Sequence, residues 1–169
     1  MNYATIKYYD IANGPGVRTS LFVSGCTHRC PGCFNEIAWD FDYGTPFTEA
    51  VAAEIIHSLA PDYITGLTIL GGEPLDPRNQ PALLDLVTAL GNAAPHKDIW
   101  CYTGYVYEKD LLPGGRAHSD VTDVLLSHID VLVDGPFIKE QADISLRFRG
   151  SANQRILQLS QGRIAHNCA

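Results

Sequence analysis

Three of the five cysteines stand within eight residues, in Cys26-Thr27-His28-Arg29-Cys30-Pro31-Gly32-Cys33, a C-x3-C-x2-C spacing. Pro31 and Gly32 disfavour a regular helix, so the segment reads as a loop folded around something. Thiolates on one short loop can reach three corners of an iron–sulfur cube, for which four cysteine ligands are usual. No fourth cysteine lies nearby: Cys101 sits in an apolar run and Cys168 is one residue from the end of the sequence. A cube held at three corners leaves one iron open, and an open coordination position is where a substrate or cofactor binds. The competing reading is a structural zinc with His28 or Cys101 as fourth ligand. Zinc sites usually present two separated ligand pairs, and no second pair exists here. Taken alone, Cys101 reads as a buried small hydrophobe and Cys168 as a free thiol on a loose tail.

Further positions carry chemical potential. Leu70-Gly71-Gly72-Glu73-Pro74 ends an apolar run on two residues without side chains, which lets a ligand approach the backbone. Glu73 adds a carboxylate able to hold an ammonium group. The alternative is a tight turn with a solvated Glu. Asp134, after Ile129-Asp130-Val131-Leu132-Val133, is either an acceptor for ribose hydroxyls or the cap of a Gly-Pro turn. Arg18, just inside an apolar strand, needs a partner if buried. The six histidines show no metal-ligand spacing and read as surface or core residues.

The elements that must position these residues alternate between strand and helix. Strands are expected at Val17–Val23, Leu67–Leu70, Ile99–Tyr102, Ile129–Val133 and Arg155–Leu159. Helices are expected at Phe47–Leu59, capped by Thr45 or Thr48, at Pro81–Leu90 with Gly91 as a stop, and from a Ser119 cap through Leu126. Such alternation implies right-handed crossovers and a mostly parallel sheet. Four or five strands are too few for a closed eight-stranded barrel, so the expected fold is an open partial (β/α) barrel, one domain over residues 1–169. The cysteine loop, the Gly71-Gly72 turn and Asp134-Gly135 each follow an expected strand, where open sheets gather their ligands.

Composition narrows the classes. A net charge of −7 argues against nucleic acid as the main partner. Arg147, Arg149, Arg155 and Arg163 nevertheless cluster late in the chain, where they either meet a partner or only solvate the surface. No apolar run is long enough to span a bilayer, and the first residues show no secretory pattern. An odd cysteine count is a poor disulfide framework. The cytoplasm is the expected compartment, with no membrane partner.

Together these residues resemble the radical S-adenosylmethionine enzymes. Residues 10–35 (DIANGPGVRTSLFVSGCTHRCPGCFN), 71–75 (GGEPL), 101–105 (CYTGY), 133–137 (VDGPF) and 147–155 (RFRGSANQR) are similar to a narrower family. That family comprises the glycyl-radical activases serving anaerobic ribonucleoside-triphosphate reductase. The resemblance implies that Cys26, Cys30 and Cys33 hold a 4Fe-4S cluster whose open iron takes the amino and carboxylate groups of S-adenosylmethionine. It also implies contacts from Gly71, Gly72 and Glu73 to the methionine amino group, from Phe34 to the adenine, and from Thr103 and Asp134 to the ribose. Phe34 stands where the family frequently has Tyr. The implied reaction is reductive cleavage of S-adenosylmethionine and radical transfer to a glycine of the reductase, with an electron donor such as flavodoxin. Rival readings are a radical enzyme with another target and a non-catalytic iron–sulfur or zinc module.

Overall fold

The computed structural model describes residues 1–168. Val17–Val23 is a strand because its β-branched and apolar residues can be covered on both faces, and all but Val17 are buried. It is β2 of one sheet whose other strands are β1 (Asn2–Asp10), β3 (Thr45–Pro46), β4 (Ile64–Gly71), β5 (Asp98–Tyr102), β6 (Val131–Asp134), β7 (Arg155–Ser160) and β8 (Arg163–Asn167). The order across the sheet is β3-β1-β2-β4-β5-β6-β7-β8. β2, β4, β5 and β6 run parallel, while β1, β3, β7 and β8 pair antiparallel on the flanks.

The parallel centre agrees with the alternation in the sequence. The strand count does not: eight replace the expected four or five, and the sheet is mixed rather than mostly parallel. The strands that sequence reasoning passed over lack a buried stripe. β3 has two exposed residues, β8 is almost wholly exposed, and most of β1 is half-buried or open. Hydrogen bonding to a neighbour, which leaves no hydrophobic period, makes them strands.

Helices α1 (Glu49–Ser58), α2 (Gln80–Ala93) and α3 (Thr122–Ser127) lie on the connections between parallel strands. Alternate residues of the sheet, among them Leu21, Val23, Leu67, Ile69, Ile99, Cys101 and Leu132, join Ile55, Leu83, Leu86, Leu90 and Leu125 in one core. Thr48 caps α1 as expected, its Oγ1 accepting from the Val51 N–H at 3.4 Å. Gly91 does not stop α2; the helix continues to Ala93, with Leu90 docked in the core. Ser119 does not cap α3. Its hydroxyl donates to Gln80 Oε1 at 2.7 Å, tying α3 to the first turn of α2. Among the described residues no helix is long and apolar enough to cross a membrane.

Arg18 is fully buried near the amino ends of the parallel strands, where Nε donates to Thr68 Oγ1 at 2.7 Å and Nη2 donates to Leu67 O at 2.9 Å. Nη2 also pairs with Asp98 Oδ1 at 2.6 Å. This cation joins β2, β4 and β5 at the edge remote from the cysteines. Replacing it strands buried acceptors, so Arg18→Ala is expected to lower the unfolding free energy by about 3 kcal/mol. Urea denaturation followed by circular dichroism measures this, and an unchanged midpoint would refute the role.

Candidate functional site

The chain leaves the carboxyl end of β2 through Ser24 and Gly25 and enters the cysteine loop. Gly25 N–H donates to Ala38 O at 2.8 Å and Cys26 N–H to Trp39 O at 3.1 Å, so the loop's return limb lies against its entry. Arg29 (φ 49°) and Gly32 (φ 75°) turn the loop back on itself. Cys26, Cys30 and Cys33 are all half-buried free thiols. They line one cleft of about 140 Å³ together with Phe34, Gly71, Gly72, Glu73 and Thr103. Residues distant in sequence thus meet at the carboxyl edge of the parallel strands, where an open α/β sheet holds its ligands.

The diglycine has a physical cause within the protein. At Gly71 (φ 114°) a Cβ would lie 2.7 Å from Val23 N, and at Gly72 it would lie 2.5 Å from Gly25 O. Gly72 N–H donates to Val23 O and Glu73 N–H to Gly25 O, each at 2.7 Å. The missing side chains therefore let β4 and the cysteine loop approach each other, besides opening the cleft wall.

Glu73 is held by the protein. It is 1% exposed, and its carboxylate faces the protein. Oε1 accepts from Thr103 Oγ1 at 2.7 Å and from Leu75 N–H at 2.9 Å. Oε2 accepts from Gly104 N–H at 2.8 Å and meets His28 Nε2 at 2.8 Å. A carboxylate offers about four lone-pair sites, and here four protein donors fill them. Thr103 lines the cleft, but its hydroxyl is engaged by Glu73 and by the Tyr105 N–H.

Asp134 is likewise held by the protein. It is fully buried and absent from the cleft wall, although the next residue, Gly135, lines it. Its carboxylate accepts from the Tyr107 N–H at 2.9 Å and from Arg155 Nε at 2.9 Å. Arg155 is therefore not free to dock a partner. It also reaches Glu108, and its bonds to Asp134 and Glu108 keep the guanidinium charged well beyond its ordinary range. Arg149 donates to Gln154 O at 2.9 Å, and Arg147 stacks on Phe148. Phe34 is 88% exposed at the rim of the cleft, its ring open to a partner.

His28, which the sequence offered only as a zinc ligand in the competing reading, is a site residue in another way. Its ring meets Tyr105 edge-on at 4.4 Å and lines the cleft. The only available signal was its place between two cysteines; its partner lies 45 residues away.

The residues fit an iron–sulfur cluster better than one zinc ion. Among the described residues, no three His, Cys, Asp or Glu side chains converge on one ion. Of the possible fourth zinc ligands, His28 is bound to Glu73 and Cys101 is buried in the core. Three thiols spaced around a cleft suit the corners of a cube. Burial pushes the Cys26 thiol up to about 11, with the Glu73 charge adding to the shift, and burial also raises Cys30. The loop is thus poor in thiolate until a metal displaces the protons.

An open α/β sheet with a three-thiol loop at its carboxyl edge defines a single-cluster iron–sulfur protein, and the family model for a 4Fe-4S single cluster domain matches residues 12–157. The chain is 44% identical over 165 residues to the anaerobic ribonucleoside-triphosphate reductase-activating protein of Pasteurella multocida, covering 95% of this chain and 99% of that one. The protein of the same name from Haemophilus influenzae is 47% identical over 160 residues, covering 92% and 97%. That of Enterobacteria phage T4 is 38% identical over 168 residues, covering 99% and 100%. The chain belongs to this family of reductase-activating proteins.

The raised thiols give a pH signature in the metal-free chain. Below its pKa of about 11 the Cys26 thiol is neutral, so each added pH unit multiplies the thiolate. Iodoacetamide labelling of Cys26 is expected to rise roughly tenfold per unit between about pH 8 and about pH 10. Buried Cys101 should stay unlabelled throughout. Peptide mass spectrometry follows both, and a Cys26 plateau below about pH 9 would refute the effect of burial.

Proposed function

We propose that this chain, a single domain over residues 1–169, is the enzyme that installs a glycyl radical on anaerobic ribonucleoside-triphosphate reductase. The observation carrying this reading is the meeting of three half-buried thiols from one loop with the Gly71-Gly72 strand end in one cleft. When bound, a 4Fe-4S cluster and S-adenosylmethionine supply one-electron cleavage of the sulfonium, and with it the 5′-deoxyadenosyl radical that takes hydrogen from a glycine Cα.

The chain's own residues bind, orient and shield. Cys26, Cys30 and Cys33 would hold the cluster. The backbone of Gly71 and Gly72 would contact the methionine part of S-adenosylmethionine, and the Phe34 ring its adenine. Glu73, Thr103 and Asp134 act by holding the surrounding loops, since their polar atoms are engaged by the protein. Leu70, Tyr102 and Phe137 line the cleft with apolar surface that excludes water from it.

Two features favour a protein substrate. The sheet ends in β3 on one side and β8 on the other among the described residues, so it is open, and an open edge leaves a side through which a peptide can enter. Phe34 and Ile37, 88% and 61% exposed, place apolar surface on the cysteine loop and its return limb, as a docking surface would require. The proposed donor is a small redox protein such as flavodoxin, and the proposed compartment is the cytoplasm.

Anaerobically reconstituted protein is expected to hold about four irons per chain and to release 5′-deoxyadenosine from S-adenosylmethionine under reduction. Cys26→Ala, Cys30→Ala and Cys33→Ala should each abolish release, while Cys168→Ala should not. Adding the reductase should produce a glycyl doublet in electron paramagnetic resonance. Release of 5′-deoxyadenosine without that doublet would retain the radical chemistry and reject the substrate.

A further inference from the structure

Glu73 gathers donors from three separate parts of the chain. Leu75 belongs to the turn after β4, Thr103 and Gly104 follow β5, and His28 lies inside the cysteine loop. An ionised carboxylate can only accept, so His28 Nε2 must carry a proton and donate. The ring is also seated sterically. A Cβ on Gly104 would lie 2.7 Å from His28 Cδ2, and Tyr105 meets the ring at 4.4 Å. His28 is 7% exposed at its side chain, whereas neighbouring Thr27 and Arg29 are exposed.

We propose that His28 is a positioning residue: through Glu73, and seated against Gly104 and Tyr105, it locks the cysteine loop onto the ends of β4 and β5. The consequence for the cluster rests on the assignment of Cys26, Cys30 and Cys33 as its ligands. Glu73 is then the anchor of the loop. Residues after β5, outside the cysteine loop, then set how the ligands are held, and Gly104 is glycine because the ring occupies the space of a side chain.

The test compares the parent with His28→Ala, His28→Gln, Gly104→Ala and Glu73→Gln. In the metal-free full-length chain, Cys26 labelling at fixed pH should rise about fivefold in His28→Ala and Gly104→Ala, the cost of losing one local hydrogen bond. Buried Cys101 should stay unlabelled, which reports that the fold is intact. His28→Gln, which restores an N–H donor, should return to within about twofold of the parent. After reconstitution, chelator should strip iron about tenfold faster from His28→Ala and Gly104→Ala than from the parent.

Parent-like labelling and iron retention in both His28→Ala and Gly104→Ala would overturn the proposal. So would parent-like labelling and iron retention in Glu73→Gln, because His28 acts through that carboxylate. If Cys101 becomes labelled in His28→Ala, Gly104→Ala and His28→Gln decide by the same criteria. If the parent itself takes up no iron, the ligand assignment fails, whereas the labelling arm still decides whether His28 holds the loop.

Discussion

A carboxylate buried as deeply as Glu73 is stable only if its lone pairs are filled. Four donors fill them, and because they come from distant stretches, filling them brings those stretches together. The cysteine loop, the turn after β4 and the segment after β5 hold their relative positions around this one group. The shape of the cleft therefore follows from a solvation requirement before any ligand is considered.

The same edge depends on the close approach of two backbones. β2 and β4 pair in parallel as far as Val23 and Gly71, and the chain then crosses from strand ends into loops while still bonded. A side chain at Gly71 or Gly72 would collide with Val23 or Gly25. The glycines thus serve the protein's own packing while keeping the cleft wall thin. A short loop projecting three thiols needs such backing, since Pro31 and Gly32 deny it helical bonds of its own.

Two ion pairs, each with one partner fully buried and the other partly exposed, fix the sheet away from the thiols. Arg18 and Asp98 join three parallel strands at their amino ends. Asp134 and Arg155 stand opposite each other where β6 meets antiparallel β7, and Arg155 carries the link outward to Glu108. Buried pairs are weak evidence for stability but effective at specifying register. Cross-strand placement explains why Asp134 and Arg155 bind each other.

Local chemistry was legible in the sequence. The cysteine spacing, the diglycine after an apolar run, the parallel centre of the sheet, the Thr48 cap and the need of Arg18 for a partner all follow from neighbouring residues. Sequence reasoning failed where a contact spans the chain or leaves no period. β1, β3 and β8 have no buried stripe, so only pairing defines them. The protein partners of Glu73 and Asp134 were not legible, because a carboxylate's partners cannot be read from its own segment. His28 was weighed only as a zinc ligand, and its partner Glu73 was hidden for the same reason. Residue type and spacing thus determined what chemistry the chain could support. The folded chain alone decided which polar groups still face the cleft, because buried carboxylates take their donors from wherever the fold brings them.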